Sequence, residues 1–272
     1  MIEIYHQPPL IHLMNKFISF LSDIFVMTAV EGEERQKDAC EVSVVLPAYN
    51  EADRLERAVD AVEKKLRELG VSFEIIIAED GSTDGTYEIA KKIASSKSSV
   101  RLLHSDRRLG RGGALKRAFR LASGETLVYL DVDLATDLKH LEELVNSVRL
   151  EGYDVATGSR LLPESDAART FKRKLMSVTF NLLVRLLLRS KLRDHQCGFK
   201  AFRRSSLMDI LEEVRDEHWF WDTEVLVRAQ RRGLKVKEFP VRWRESESSK
   251  VETLKDAKDM LFCILRLRRE LS

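Results

Sequence analysis

The order of apolar stretches in the chain predicts an α/β fold built on a mostly parallel central sheet flanked by helices. Three observations carry that expectation. Short apolar runs of strand length, at residues 42–46, 73–78, 100–103, 126–130 and 154–157, alternate with segments whose apolar residues recur at helical spacing. Several runs end abruptly in polar residues that packing does not require, most clearly Thr126 to Leu130, which is followed by Asp131-Val132-Asp133. Ligands of open α/β sheets collect at the carboxyl ends of strands, so these endings are where chemistry is expected.

Residues 1–40 read as an amphipathic extension. Leu10, Leu13, Met14, Phe17, Phe20, Leu21 and Ile24 hold a helical period, and His12, Asn15, Lys16 and Asp23 interrupt it. The stretch lacks the about 20 mostly apolar residues of a membrane span. It also lacks the early charge and small-residue cleavage site of a signal peptide. Interfacial anchoring and docking on the protein body fit it equally.

Residues 41–245 carry the regular organisation. The strand at 42–46 is expected to stop at Pro47, and Leu55, Val59, Val62 and Leu66 then mark a helix. The strand at 73–78 runs into Glu79-Asp80-Gly81-Ser82-Thr83-Asp84-Gly85, a turn composition, before a helix carrying Ile89 and Ile93. Helices are expected at 114–122 and 138–150, another at 225–233, and a returning strand at 235–241.

Composition bounds the function. The 272 residues are 44% hydrophobic and 33% charged with a net charge of +2, enough for one large core and too balanced for a nucleic-acid partner. Cys40, Cys197 and Cys263 are an odd set at wide spacings, which argues against a disulfide framework or zinc site and for a reducing, cytosolic setting. The loop after the first strand is Pro47-Ala48-Tyr49-Asn50-Glu51 and not Gly-x-Gly-x-x-Gly, so a nicotinamide cofactor loses its main support. Leu109-Gly110-Arg111-Gly112-Gly113 can cradle phosphate at a helix N-terminus but lacks the ending of a P-loop. Asp131 and Asp133 are paired hard oxygen donors that suit Mg or Mn, which draw further ligands from water and a substrate diphosphate. On this motif alone, one Asp capping the next helix and the other merely exposed is an equal alternative.

Taken together, Pro47-Ala48-Tyr49-Asn50-Glu51, Glu79-Asp80-Gly81-Ser82-Thr83-Asp84-Gly85 and Asp131-Val132-Asp133, in that order at strand ends, resemble the inverting family-2 glycosyltransferases of the GT-A fold. Gly158-Ser159-Arg160, Asp194-His195-Gln196-Cys197-Gly198-Phe199-Lys200, Trp221-Asp222-Thr223-Glu224 and Trp243-Arg244-Glu245 with Ser249-Lys250 extend the likeness to dolichyl- or polyprenyl-phosphate sugar synthases, over residues 42–265. The resemblance implies that Pro47, Tyr49, Glu51 and Asp80 line a nucleotide pocket, with Asp80 accepting a hydrogen bond from the base imide. It implies that Asp131 and Asp133 hold the cation, that Arg111 or Lys116 adds positive charge, and that Arg160 and Lys200 hold an acceptor phosphate. Mannose-transferring relatives often carry Gln two residues past the second Asp, where this chain has Ala135, so the glucose-transferring branch is the closer match. Arg108 also departs from the family, standing where Asn usually precedes the Leu-Gly segment.

Residues 169–193 combine Phe171, Leu175, Val178, Leu182, Val184, Leu186 and Leu187 with Lys172, Arg173, Lys174, Arg185 and Arg189. Between Arg169 and Arg193 no acidic residue intervenes. An interfacial helix against anionic lipid and a core helix with solvated basic ends both fit this pattern. Trp219-Phe220-Trp221 precedes Asp222, which either caps the following helix or, with Glu224, stands beside the acceptor. Residues 246–272 end in a second amphipathic helix, with Leu261, Ile264, Leu265 and Leu267 expected inward and Arg266, Arg268 and Arg269 outward. No pair of long apolar spans follows, so the multi-span domain of some relatives is not expected in this chain.

The resemblance thus implies a metal-dependent, inverting transfer of a hexose from a nucleotide diphosphate sugar to dolichyl or polyprenyl phosphate. UDP-glucose is the favoured donor and GDP-mannose the alternative. The catalytic group would be Asp131, Asp133, Arg160 and Asp222, in a protein held peripherally at the cytoplasmic face of a membrane. A non-catalytic nucleotide-sugar-binding membrane protein is the reading from another class.

Overall fold

A computed structural model describes residues 40–244 and 255–272. The expectations for residues 1–39 and for Glu245, Ser249 and Lys250 lie outside the described residues. The elements alternate as β1 (Val42–Ala48), α1 (Leu55–Glu68), β2 (Phe73–Glu79), α2 (Thr86–Ser96), β3 (Val100–Leu103), α3 (Arg111–Leu121), β4 (Thr126–Leu130), α4 (Leu141–Arg149) and β5 (Val155–Ser159). There follow β6 (Asp166–Ala168), α5 (Phe171–Leu188), β7 (Phe199–Arg203), α6 (Arg204–Leu211), α7 (Trp221–Arg231), β8 (Val236–Pro240), β9 (Arg242–Arg244) and α8 (Lys255–Glu270).

The main sheet has the order β3-β2-β1-β4-β7-β5-β8. All neighbours pair in parallel except β7, which runs antiparallel to both β4 and β5. Period-two alternation sorts each strand between two cores. Val44, Ile75, Ile77, Val128 and Leu130 face α1, α2 and α4, while Val45, Ile76, Leu127 and Tyr129 face α3, α6 and α7. Because β1, β2, β4 and β5 all point the same way, residues 49, 80, 131 and 160 arrive at one edge of the sheet.

Pro47 does not stop β1, contrary to expectation. The Ala48 carbonyl accepts from the Asp80 amide, so the polar groups of Pro47 face the β4 side. There pairing ends at Val45 with Tyr129, and the missing N–H forfeits no ladder bond. Strand β7 was not anticipated, because a lysine in a central strand hides the alternation; neither was the small sheet in which β6 pairs with β9. Helix α7 begins at Trp221, four residues before the expected start. In α8, Ile264 and Leu267 are buried against Val184, Leu188, Phe220 and Val227, but Leu265 faces outward and Leu261 is left half-exposed at the cleft. Arg266 turns inward to Glu224, at 2.8 Å. A buried carboxylate draws that guanidinium in, and this rotates the helix away from the purely apolar pattern.

Glu63 ties α1 to the start of β3, accepting from Lys97 and Ser99 at 2.6 Å each and from Arg67 at 2.8 Å. Burial raises its carboxyl, but these donors outweigh it and bring it from 4.5 to about 2. A pKa depressed in the folded state contributes stability above the unfolded value, and that stability is lost as pH falls toward the folded one. Urea midpoints of Glu63→Gln are therefore expected to fall below wild type at about pH 7 and to approach it at about pH 3. An equal deficit at both pH values would contradict this.

Candidate active site

The expected residues Pro47, Tyr49, Glu51, Asp80, Arg111, Asp131, Asp133, Arg160 and Asp222 line one cleft of about 800 Å³ at the carboxyl edge of the sheet. At its β1–β2 end, both oxygens of Asp80 accept backbone amides, Leu109 at 2.6 Å and Gly110 at 3.0 Å. These bonds latch the glycine loop to β2. Gly110 has φ +89°, and a Cβ there would strike the Glu217 carbonyl and the His218 ring. Burial raises the Asp80 carboxyl against the lowering effect of the two amides. The Arg108 guanidinium lies 3.8 Å over the Tyr49 ring.

Beyond β4, Asp131 and Asp133 stand together at the cleft wall. Burial raises the Asp133 carboxyl, and the charge of Asp131 raises it further. A cation between the two would relieve that repulsion. Among the described residues no group of three or more His, Cys, Asp or Glu side chains is placed to hold a metal ion by itself; two carboxylates are what a Mg- or Mn-diphosphate site takes from a protein. The Asp131 carboxylate packs so closely on Gly198 that a Cβ there would lie 1.8 Å from Oδ2. Arg111, at the start of α3, reaches Asp131 at 2.5 Å and Asp222 at 3.7 Å, between the rings of Tyr129 and Trp219.

Two expected residues do not reach the cleft. Lys116 follows Arg111 by five residues, about 140° around the helix, and its ammonium donates to the Val214 carbonyl at 3.1 Å. Lys200 is fully buried, because the direction of β7 turns it into the layer under α3 and α7. It donates to the Cys197 carbonyl and the Tyr129 hydroxyl and pairs with Asp222 at 2.9 Å. Tyr129 donates to the same Asp222 oxygen. Burial pushes Asp222 up to about 7, opposed by Arg111, and pushes Lys200 down to about 7. Glu224, the other acceptor-side candidate, instead braces the fold: it pairs with Arg228 and Arg266 and accepts the amides of Arg215 and Asp216.

At the β5 end, Asp194 grips Arg160 with two side-chain bonds, 2.7 and 2.9 Å, and accepts its backbone amide at 3.0 Å. Arg169 stands nearby, and both guanidiniums lie against Trp243, at 5.8 and 4.9 Å from its ring centre. Nε and Nη2 of Arg169 are buried without a hydrogen-bond partner. Burial and the charge of Arg160 lower its pKa to about 10. From there Met176, Phe180, Leu183, Leu261 and Ile264 line the cleft, giving an apolar channel between α5 and α8.

The sequence profile described as glycosyl transferase family 2 matches residues 43–211. The chain belongs to that family. The glycosyltransferase is 55% identical to the glycosyltransferase AglD of Haloferax volcanii over 228 residues, 83% of this chain but about a third (36%) of that relative's length. It is 33% identical to the dolichyl-phosphate beta-glucosyltransferase of Dictyostelium discoideum, covering 84% of this chain and 73% of the relative. The human protein of the same name is 34% identical, with 83% and 75% covered. A crystal structure of glucosyl-3-phosphoglycerate synthase from Mycobacterium tuberculosis, in complex with Mn2+, UDP and glucosyl-3-phosphoglycerate, superposes with a TM-score of 0.64 at 22% identity, covering 84% of this chain and 80% of that one. The fold is GT-A.

Sequence reasoning missed Arg169 as a site residue of this glycosyltransferase, having counted it only among basic residues before a helix. It also left Asp194, Gly198 and Trp243 inside motifs without roles. Gly198 had a readable signal, a glycine at the entry to an apolar stretch. The clash in Gly198→Ala falls on the end of a movable side chain, so the variant is expected to stay folded while Asp131 is displaced. A misplacement of about 1 Å can lower transfer by about 100-fold. Transfer above about a tenth of wild type, with an unchanged melting curve, would contradict this.

Proposed function

We propose that this glycosyltransferase moves glucose, with inversion, from UDP-glucose to the phosphate of a dolichyl or polyprenyl lipid, resting peripherally on the cytoplasmic face of a membrane. One observation carries the reading. Arg169 has two buried N–H groups without partners beside Arg160, at the mouth of an apolar channel. A guanidinium cannot deprotonate to escape its burial, so these donors suit an anionic ligand, and the channel suits an apolar tail on it. The names of the relatives and the UDP held by the structural neighbour support the donor.

The parts then divide the reaction. Asp131 and Asp133 would hold Mg or Mn, which would supply positive charge to offset that growing on the leaving UDP. Arg111 adds positive charge to the same side. Arg160 and Arg169 hold the acceptor phosphate, whose oxygen attacks the anomeric carbon as the bond from that carbon to the diphosphate oxygen breaks. A phosphate monoester, with a second pKa near about 6, is already a nucleophile at neutral pH. The chain need supply no general base, which agrees with Asp222 being committed to Tyr129 and Lys200.

The membrane reading rests on α5 and α8, which pack together and leave Phe171, Leu175, Leu186, Phe262 and Leu265 exposed, Phe171 at 82% and Phe262 at 71%. Lys172, Arg173, Lys174, Arg185 and Arg189 accompany them. No helix among the described residues is long and apolar enough to cross a membrane. Peripheral binding by apolar side chains and basic residues is the matching mode.

Two measurements test this function. Arg169→Ala is expected to raise the Michaelis constant for a polyprenyl phosphate by about tenfold or more and to leave that for UDP-glucose within about twofold. Its melting temperature should hold or rise, since it strands no partner and relieves Arg160. A constant that does not move, or transfer to the polyprenol as fast as to its phosphate, would overturn the acceptor. Binding to phosphatidylserine vesicles should weaken with salt and in Phe171→Ser/Phe262→Ser. Absence of binding at low salt would overturn the membrane reading.

A further inference from the structure

The motif Asp194-His195-Gln196 contains a buried histidine that the proposed reaction does not use. His195 is fully buried and Asn181, on α5, nearly so. The Asn181 Oδ1 accepts both the His195 backbone amide, at 2.9 Å, and its ring Nδ1–H, at 2.7 Å. An acceptor at Nδ1 requires the proton there. Nε2 of the neutral ring is therefore itself an acceptor, and it takes the Ser190 hydroxyl at 2.6 Å. The Ser190 oxygen in turn accepts Gln230 Nε2, from α7, at 2.9 Å, and the Leu192 amide at 3.3 Å. Asn181 Nδ2 completes the chain on the Ser177 carbonyl, at 2.8 Å. Every donor meets an acceptor in only one arrangement of protons. Burial holds the imidazole down to about 3, so it stays neutral around pH 7.

The network adjoins the residues proposed to hold the acceptor phosphate. Arg160 is on β5 and is oriented by Asp194, the residue before His195. Gln196, the residue after it, donates its amide to Asp194 and lines the cleft. Arg169 enters with α5, the helix that carries Asn181. Ladders already tie both arginines to one stretch of chain, since β5 pairs with β8 and β6, just ahead of Arg169, pairs with β9, so what the network adds is the seat of the Asp194 loop on α5.

We propose that Asn181 and His195 are positioning residues for the acceptor: their paired hydrogen bonds hold the Asp194 loop against α5, and with it the carboxylate that orients Arg160. This rests on the reading of those arginines as the acceptor-phosphate site. A purely structural network would shift donor and acceptor binding alike, or neither. A positioning network shifts the acceptor alone.

The test titrates farnesyl phosphate and, separately, UDP with Mn2+ into wild type, Asn181→Leu and Asn181→Asp. Asn181→Leu is expected to weaken farnesyl phosphate by about tenfold with UDP unchanged. Asn181→Asp keeps oxygen acceptors for both His195 groups and should restore most of the loss. Should Asn181→Leu fail to fold, Ser190→Ala removes the donor to Nε2 and carries the same expectation at about threefold. In wild type labelled with 15N-histidine, His195 should show the Nδ1–H tautomer with no titration between about pH 5 and 8. Equal weakening of both ligands, unchanged farnesyl phosphate binding in a folded variant, or a titrating His195 would overturn the inference. Wild type that binds UDP but not farnesyl phosphate would instead remove the acceptor reading itself, and this inference with it.

Discussion

An ammonium in the middle of the sheet constrains everything around the cleft. Lys200 cannot reach water from β7, so Asp222 and the Tyr129 hydroxyl come to it from α7 and β4. Losing one partner of such a buried pair is costly, about 3–5 kcal/mol, which locks α7 against the sheet at this point. The Asp222 carboxylate, so fixed, is also the far anchor of Arg111, whose near anchor is Asp131. The same reversed strand brings Gly198 under Asp131, where only a glycine leaves room. A charge that looks misplaced thus aligns the carboxylate wall of the cleft.

The cleft is polarised along its length. Carboxylates and guanidiniums alternate where β1, β2 and β4 end, whereas where β5 ends and α5 begins the cleft is lined by the guanidiniums of Arg160, Arg169 and Arg173. Arg160 is directed by Asp194 and Arg111 by Asp131, whereas Arg169, stacked on Trp243, keeps two buried donors without a hydrogen-bond partner. Two groups in need of opposite ligands line one cavity: Asp133, raised by burial and by the charge of Asp131, and Arg169, lowered by burial and by the charge of Arg160. Both needs suit the proposed displacement, in which nucleophile and leaving group occupy opposite sides of the sugar.

Helices α5 and α8 serve the cleft and the exterior at once. Their shared core of Val184, Leu188, Ile264 and Leu267 fixes the pair, and Phe180 and Leu183 line the channel. Phe171, Leu186 and Phe262 project outward.

Much of this was legible in the residues. Strand and helix order follows from local periods of two and 3.6, and parallel strands place Tyr49, Asp80, Asp131 and Arg160 on one edge whatever the details of packing. Family membership followed from the same motifs. The sequence alone could not decide which charged side chains face the cleft. Lys200 and Asp222 look equally available in one dimension, and the fold buries both, because each is neutralised by a residue far along the chain. Lys116 and Arg111 share a helix, and only its rotation tells them apart. Arg266 looked solvated until Glu224 drew it in, and Arg169 looked like one basic residue among many. Local pattern determines backbone periodicity, whereas the state of a charge depends on partners that only tertiary structure brings within 3 Å.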